Sequence, residues 1–126
     1  MKYIRFLIVV LLVVAMTTGC NTVNPIVYSE TPLSISSWDE AEYMAKNGEA
    51  IILDVRTTDE FNSGNALGAI SLPLDELSSG IELIISDKNQ IIFVYCRSGA
   101  RSANAVVVLE AIGYQNVIDL GGIINR

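Results

Sequence analysis

Residues 91–102, Ile91-Ile-Phe-Val-Tyr-Cys96-Arg-Ser-Gly-Ala-Arg-Ser102, decide the fold of this chain. Ile91 to Tyr95 is apolar throughout and rich in β-branched and aromatic side chains. That pattern describes a strand buried on both faces, which points to a parallel sheet covered by helices. The polar heptad Cys96-Arg97-Ser98-Gly99-Ala100-Arg101-Ser102 follows at once, and an apolar-faced helix is expected from Arg101 to Ile112, ending at Gly113. A short polar loop between a buried strand and a helix is where parallel α/β sheets gather ligands, beyond the carboxyl ends of the strands.

Outward from this segment the same alternation continues. Ser37-Trp38-Asp39-Glu40 has the form of a capping box before a short helix with Lys46 in its last turn and Gly48 as its stop. Ile51–Val55 reads as a second buried strand. Thr57-Thr58-Asp59-Glu60 repeats the capping pattern for a helix ending at Gly64. Ala69–Leu72 is expected to form a brief strand that Pro73 closes. Leu74–Ile85 reads as a weaker helix, broken or loosened at Gly80. Val117–Leu120 is a last strand, closed by Gly121-Gly122. Strands alternating with helices predict an α/β fold with a mainly parallel sheet.

The chemistry of the loop follows from its residue types. Amides at the start of a helix face outward unpaired, and the helix dipole favours an anion there. A Cys96 thiolate in that position is stabilised, so its pKa is expected below the ~8.5 of a free thiol. Arg97 and Arg101 add positive charge on either side. Gly99 permits the turn that lets several amides face one centre. Asp54 and Arg56, at the end of the neighbouring strand, read as braces more than as substrate contacts.

Composition removes competing chemistries. The 126 residues contain no His, which excludes Ser-His-Asp and Cys-His catalysis, His-ligated zinc and imidazole pH switching. A net charge of −6 with eight basic residues argues against nucleic acid as a partner. Two cysteines, Cys20 and Cys96, are too few for a disulfide framework or a four-thiolate metal site. No metal and no organic cofactor are called for.

The first twenty residues read as an address. Lys2 and Arg5 precede an uncharged apolar run, Phe6–Met16, too short to span a bilayer core of roughly 30 Å but suited to a signal-peptide core. Thr17, Thr18 and Gly19 lead to Cys20. This resembles a bacterial lipoprotein signal, although Thr17 stands where Leu is usual. An ordinary secretory signal or an uncleaved anchor is the alternative. The expected organisation is a signal over 1–20 with lipid on Cys20, a polar tether over 21–32, and a domain over 33–126. That places the domain outside the cytoplasm, held at a membrane of the cell envelope, with Cys96 as the free thiol of the mature chain.

The loop CRSGARS resembles the active-site loop of rhodanese-like domains, whose Cys accepts a sulfane sulfur. Further signatures of that family occur in order: Leu53-Asp54-Val55-Arg56 with Glu60-Phe61, Gly68-Ala69-Ile70 with Leu72-Pro73-Leu74, and Gly113-Tyr114 with Asn116-Val117 and Leu120-Gly121-Gly122. The resemblance implies a three-layer fold and sulfur transfer through a persulfide on Cys96. The partners it implies are a small sulfur-donor anion, such as thiosulfate, and a thiol or cyanide acceptor. It also implies that Arg97, Ser98, Gly99, Ala100, Arg101 and Ser102 bind the donor. Four residues separate Cys96 from Arg101, whereas related phosphatases place five between their Cys and Arg. Three departures stand out. Gly64-Asn65-Ala66 replaces the family's Gly-His-Ile, and Glu60 lies near the position of a substrate-binding Arg in some two-domain relatives. The sequence stops after GGIINR, so the layer that usually follows is expected to be absent, through a minimal domain or a truncated frame. A non-catalytic binding module at the envelope and a thiol redox protein are the competing readings.

Overall fold

A computed structural model of the chain describes residues 38–126, all within the unit spanning Pro32–Arg126. The signal, Cys20, the tether and the Ser37 cap lie outside the described residues. Four parallel strands form one sheet in the order β2-β1-β3-β4, with β1 Ala50–Asp54, β2 Ile70–Ser71, β3 Ile91–Cys96 and β4 Asn116–Gly122. The helices are α1 Trp38–Lys46, α2 Thr58–Asn62, α3 Leu77–Ile84 and α4 Ala100–Ile112, and a 3-10 turn follows over Ile123–Asn125.

The side-chain alternation of β1 and β3 divides the core between the two faces of the sheet. Leu53, Val55, Ile92, Val94 and Cys96 point to one side, where Leu77 and Ile81 of α3 and Ala105 and Leu109 of α4 pack on them. Ile52, Phe93 and Tyr95 point to the other, against Ala41 of α1 and Ala66. Helices on both faces explain why these two strands are apolar nearly throughout, Asp54 at the end of β1 excepted. They also produce the three layers that the sequence implies.

The structure departs from the expected elements in three places. The helix expected from Leu74 begins at Leu77, because Pro73 to Leu77 makes two successive tight turns first, with Glu76 N donating to Pro73 O and Leu77 N to Leu74 O. That helix runs through Gly80 unbroken. A Cβ on Gly80 would stand 3.0 Å from Leu72 Cδ1, so the glycine lets the helix lie close to the sheet. The last strand runs through Gly121 and Gly122 instead of stopping before them. Its register against β3 skips Leu120, with Val94 opposite Asp119 and Tyr95 opposite Gly121, and Gly121 takes a φ of +74° at this bulge.

Candidate functional site

Cys96 is the last residue of β3, at the carboxyl edge of the sheet, and its side chain is buried. The chain then turns through Arg97 and Ser98 to Gly99, which caps α4 with a φ of +107°. This left-handed conformation strains any residue with a Cβ, so the turn requires a glycine at this position. It aims Gly99 N at Cys96 Sγ, 3.0 Å away. Ser102 Oγ lies 3.8 Å from the same sulfur, and its hydroxyl bonds to Gly99 O at 2.9 Å with Gly121 O at 3.4 Å.

Burial pushes the Cys96 thiol up. The amides of Ser102 and Gly99, the Ser102 hydroxyl and the Ser98 amide outweigh it, and the net shift is downward. The sulfur thus accepts the Gly99 amide at a helix start, an arrangement that favours the thiolate and any anion formed on it.

Gly122 shapes this loop from the neighbouring strand. A Cβ at that position would stand 2.7 Å from both Arg97 O and Ser98 Cα, and these backbone atoms cannot swing aside. Ile124 N reaches Arg97 O at 3.4 Å from just beyond it. We expect Gly122→Ala to displace the cysteine loop and to lower stability by about 1–3 kcal/mol, the cost of forcing extra bulk into a closely packed contact. Denaturant unfolding checks this. An unchanged midpoint would show that the close approach has no bearing on the loop.

The two loop arginines, both expected to bind the donor, differ in their surroundings. Arg97 is exposed. Arg101 is held by Glu60 in a two-pronged pair, Nη1 to Oε2 at 2.6 Å and Nη2 to Oε1 at 2.8 Å. Glu60 also accepts from the amide and hydroxyl of Thr57, which closes the expected capping box of α2. Arg101 and the Thr57 amide hold the Glu60 carboxyl far below the usual carboxylate range, and Arg101 is raised in return. Of the remaining loop residues, Ser98 and Ala100 are exposed, Gly99 is half-buried and Ser102 is buried.

Asp54 and Arg56 form a buried pair at the end of the strand next to Cys96. The buried Asp54 carboxylate takes Arg56 N at 2.9 Å, Arg56 Nε at 3.0 Å and Arg56 Nη2 at 2.7 Å, and Arg56 Nη2 also donates to Gly64 O at 2.6 Å. Tyr95, read from the sequence only as a strand residue, completes the network. Its hydroxyl donates to Asp54 Oδ2 and accepts from Ala66 N at 3.0 Å, and Trp38 stacks edge-on with ring centroids 5.1 Å apart. The residue immediately before Cys96 is therefore locked to the neighbouring strand end.

A cavity of about 270 Å³ opens beside the loop, lined by Val55, Arg56, Thr57, Pro73, Leu74, Asp75 and Arg101. Val55 N donates to Tyr95 O at 3.1 Å, which continues the β1–β3 register by one step and sets Val55 beside Cys96 on the same face of the sheet.

A buried cysteine whose sulfur accepts a backbone amide at a strand end, followed directly by a helix, defines an α/β protein with a cysteine loop at the carboxyl edge of a parallel sheet. The chain belongs to the rhodanese-like domain family, whose sequence profile matches residues 37–125. It is 35% identical to the thiosulfate sulfurtransferase PspE of Escherichia coli (strain K12) over 71 residues, 56% of this chain and 68% of that protein. It is also 35% identical to a sulfurtransferase of Allochromatium vinosum, over 71% of this chain and 83% of that protein. Among solved structures, a rhodanese with anions from E. coli superposes with a TM-score of 0.59 at 32% identity, over 61% of this chain and 91% of that one.

Proposed function

We propose that this protein is a rhodanese-type sulfurtransferase that moves a sulfane sulfur from thiosulfate or a persulfide donor to a thiol or cyanide. The observation that carries this reading is the Gly99 amide on Cys96 Sγ, with the Ser98 and Ser102 amides beside it. The Cys96 thiolate attacks the outer sulfur of the donor. The new S–S bond forms as the donor's own bond to that sulfur breaks, and its electron pair leaves with sulfite or a thiolate. The Cys96 persulfide anion then lies in the amide cradle, as an oxyanion lies in its hole. An acceptor thiolate or cyanide attacks the outer sulfur and restores the Cys96 thiolate. The sulfurtransferase names of the relatives point the same way.

The lipoprotein reading of Lys2, Arg5, Phe6–Met16 and Gly19-Cys20 belongs to the same proposal: a sulfur carrier held at the cell envelope through lipid on Cys20.

Intact-mass spectrometry tests both parts. Thiosulfate or an organic persulfide is expected to add one sulfur mass that cyanide removes. A folded protein that gains no sulfur from either donor refutes sulfur transfer. Protein extracted from membranes is expected to carry a lipid mass that is lost in Cys20→Ser, and an unmodified Cys20 refutes the anchor.

A further inference from the structure

The two arginines that line the cavity beside Cys96 are held differently. Arg56 is buried, and Asp54 and Gly64 O take its Nε and Nη2. Arg101 is 33% exposed, and Glu60 grips it with both carboxylate oxygens at 2.6 and 2.8 Å. That pair uses one N–H from each Nη and leaves the other N–H groups of the guanidinium for a donor. The bonds to Glu60 raise Arg101, and the charge at Cys96 raises it further, so guanidinium and sulfur act on one another. Glu60 in turn is held far below the usual carboxylate range, by Arg101 first and the Thr57 amide next. It is therefore ionised at every pH at which Cys96 is a thiolate. A donor that approaches Arg101 meets the attraction of the guanidinium and the repulsion of Glu60 together. Both scale with the charge of the donor, so the opposing carboxylate costs a dianion more than a monoanion.

We propose that Glu60 sets the donor charge this site accepts: it shares the charge of Arg101, which weakens the hold on dianionic donors, and it keeps the guanidinium oriented for donors with a single charge. Glu60 acts through Arg101, so it is a positioning residue. This assignment rests on the sulfurtransferase reading and specifies which anions the site favours. The same carboxylate accepts from the Thr57 amide at 3.0 Å, so it also ties Thr57, another residue of the lining, to Arg101.

The test uses thiosulfate and methanethiosulfonate, which differ by an oxygen against a methyl group and carry two negative charges against one. Each gives its outer sulfur to Cys96. The new S–S bond forms, the donor's S–S bond breaks, and its electron pair leaves with sulfite or methanesulfinate. For each donor kcat/KM is measured with cyanide as the acceptor. The ratio between donors is taken on one preparation, so it does not depend on how much of a variant is folded. Glu60→Gln keeps a side chain that suits a capping box but removes the charge. It is expected to raise the ratio of thiosulfate to methanethiosulfonate about fivefold, the upper end for a partly exposed charge contact. Glu60→Asp keeps the charge and is expected to hold the wild-type ratio within about twofold. Arg101→Gln is expected to lower the ratio about fivefold. A ratio that Glu60→Gln or Arg101→Gln leaves unchanged, or that Glu60→Asp shifts as far as Glu60→Gln does, overturns the assignment. Failure of both donors to load wild-type Cys96 is a different result, and it overturns sulfur transfer itself.

Discussion

Cys96→Ser is expected to abolish sulfur loading and to lower turnover with any sulfane donor by at least ~10³-fold, while the domain stays folded. The serine hydroxyl is a far weaker acid than the thiol, so at neutral pH it supplies no anionic nucleophile to the donor. The buried site nevertheless suits a hydroxyl. Gly99 N, now 3.0 Å from the sulfur, can donate to the new oxygen, and Ser102 Oγ lies on its other side. With those partners available, the change in stability is expected to stay within about 1 kcal/mol. Denaturant unfolding establishes that the variant is folded, and its mass after exposure to donor then tests the chemistry. The wild-type loading rate should follow the thiolate fraction. Since the cradle lowers the Cys96 pKa, the half-maximal rate is expected below the pH at which a free thiol titrates. A rate that keeps rising well above that pH would mean that the amides do not hold the anion, and a Cys96→Ser variant that still accepts sulfur would place the nucleophile elsewhere.

Much of this architecture was legible because it depends on local pattern. Ile91–Tyr95 through an unbroken apolar run, and Ile51–Val55 through a run interrupted only by Asp54, announce buried parallel strands, and both lie at the centre of the sheet. The cysteine loop was legible for the same reason: a thiol, a glycine and a helix start within seven residues determine where the amides point. The less legible features depend on residues far apart in the chain. Glu60 and Arg101 stand 41 positions apart, and each has a sufficient local reading, one as a capping acid and the other as a loop cation. Their pairing appears only when β1 and β3 lie side by side. Tyr95 was hidden by its apolar neighbours, although a buried tyrosine requires a partner for its hydroxyl. In sequence Gly80 reads as a helix breaker and Gly122 as a residue that closes a strand; in the fold Gly80 lies in an unbroken helix against the Leu72 side chain, and Gly122, the last residue of β4, meets the backbone of the cysteine loop too closely for a Cβ.

Asp54→Asn is expected to be the most damaging change to the scaffold, costing about 3–5 kcal/mol, the range for a buried ion pair that loses one partner. Both oxygens of Asp54 receive donors. Oδ1 takes Arg56 N and Nε, and Oδ2 takes Arg56 Nη2 and the Tyr95 hydroxyl. An amide can offer its oxygen to one side only and turns its own N–H groups on the other, so Arg56 is left short of its counter-charge in a buried position. The effect is expected as a lower denaturant midpoint at constant m-value. Tyr95 adds a signature in pH. Burial and its bond to Asp54 push its hydroxyl from the ordinary value near 10 up to about 12. Because the folded state holds the proton more tightly than the unfolded chain, this contribution is complete below pH ~10 and is lost as pH rises through ~12. Tyr95→Phe, which deletes the group that titrates, is expected to flatten that part of the stability curve. A variant whose stability falls as steeply as the wild type's between those pH values would show that another group controls alkaline unfolding. If Asp54→Asn retained wild-type stability, the Asp54–Arg56–Tyr95 network would not be what fixes the strand end beneath Cys96.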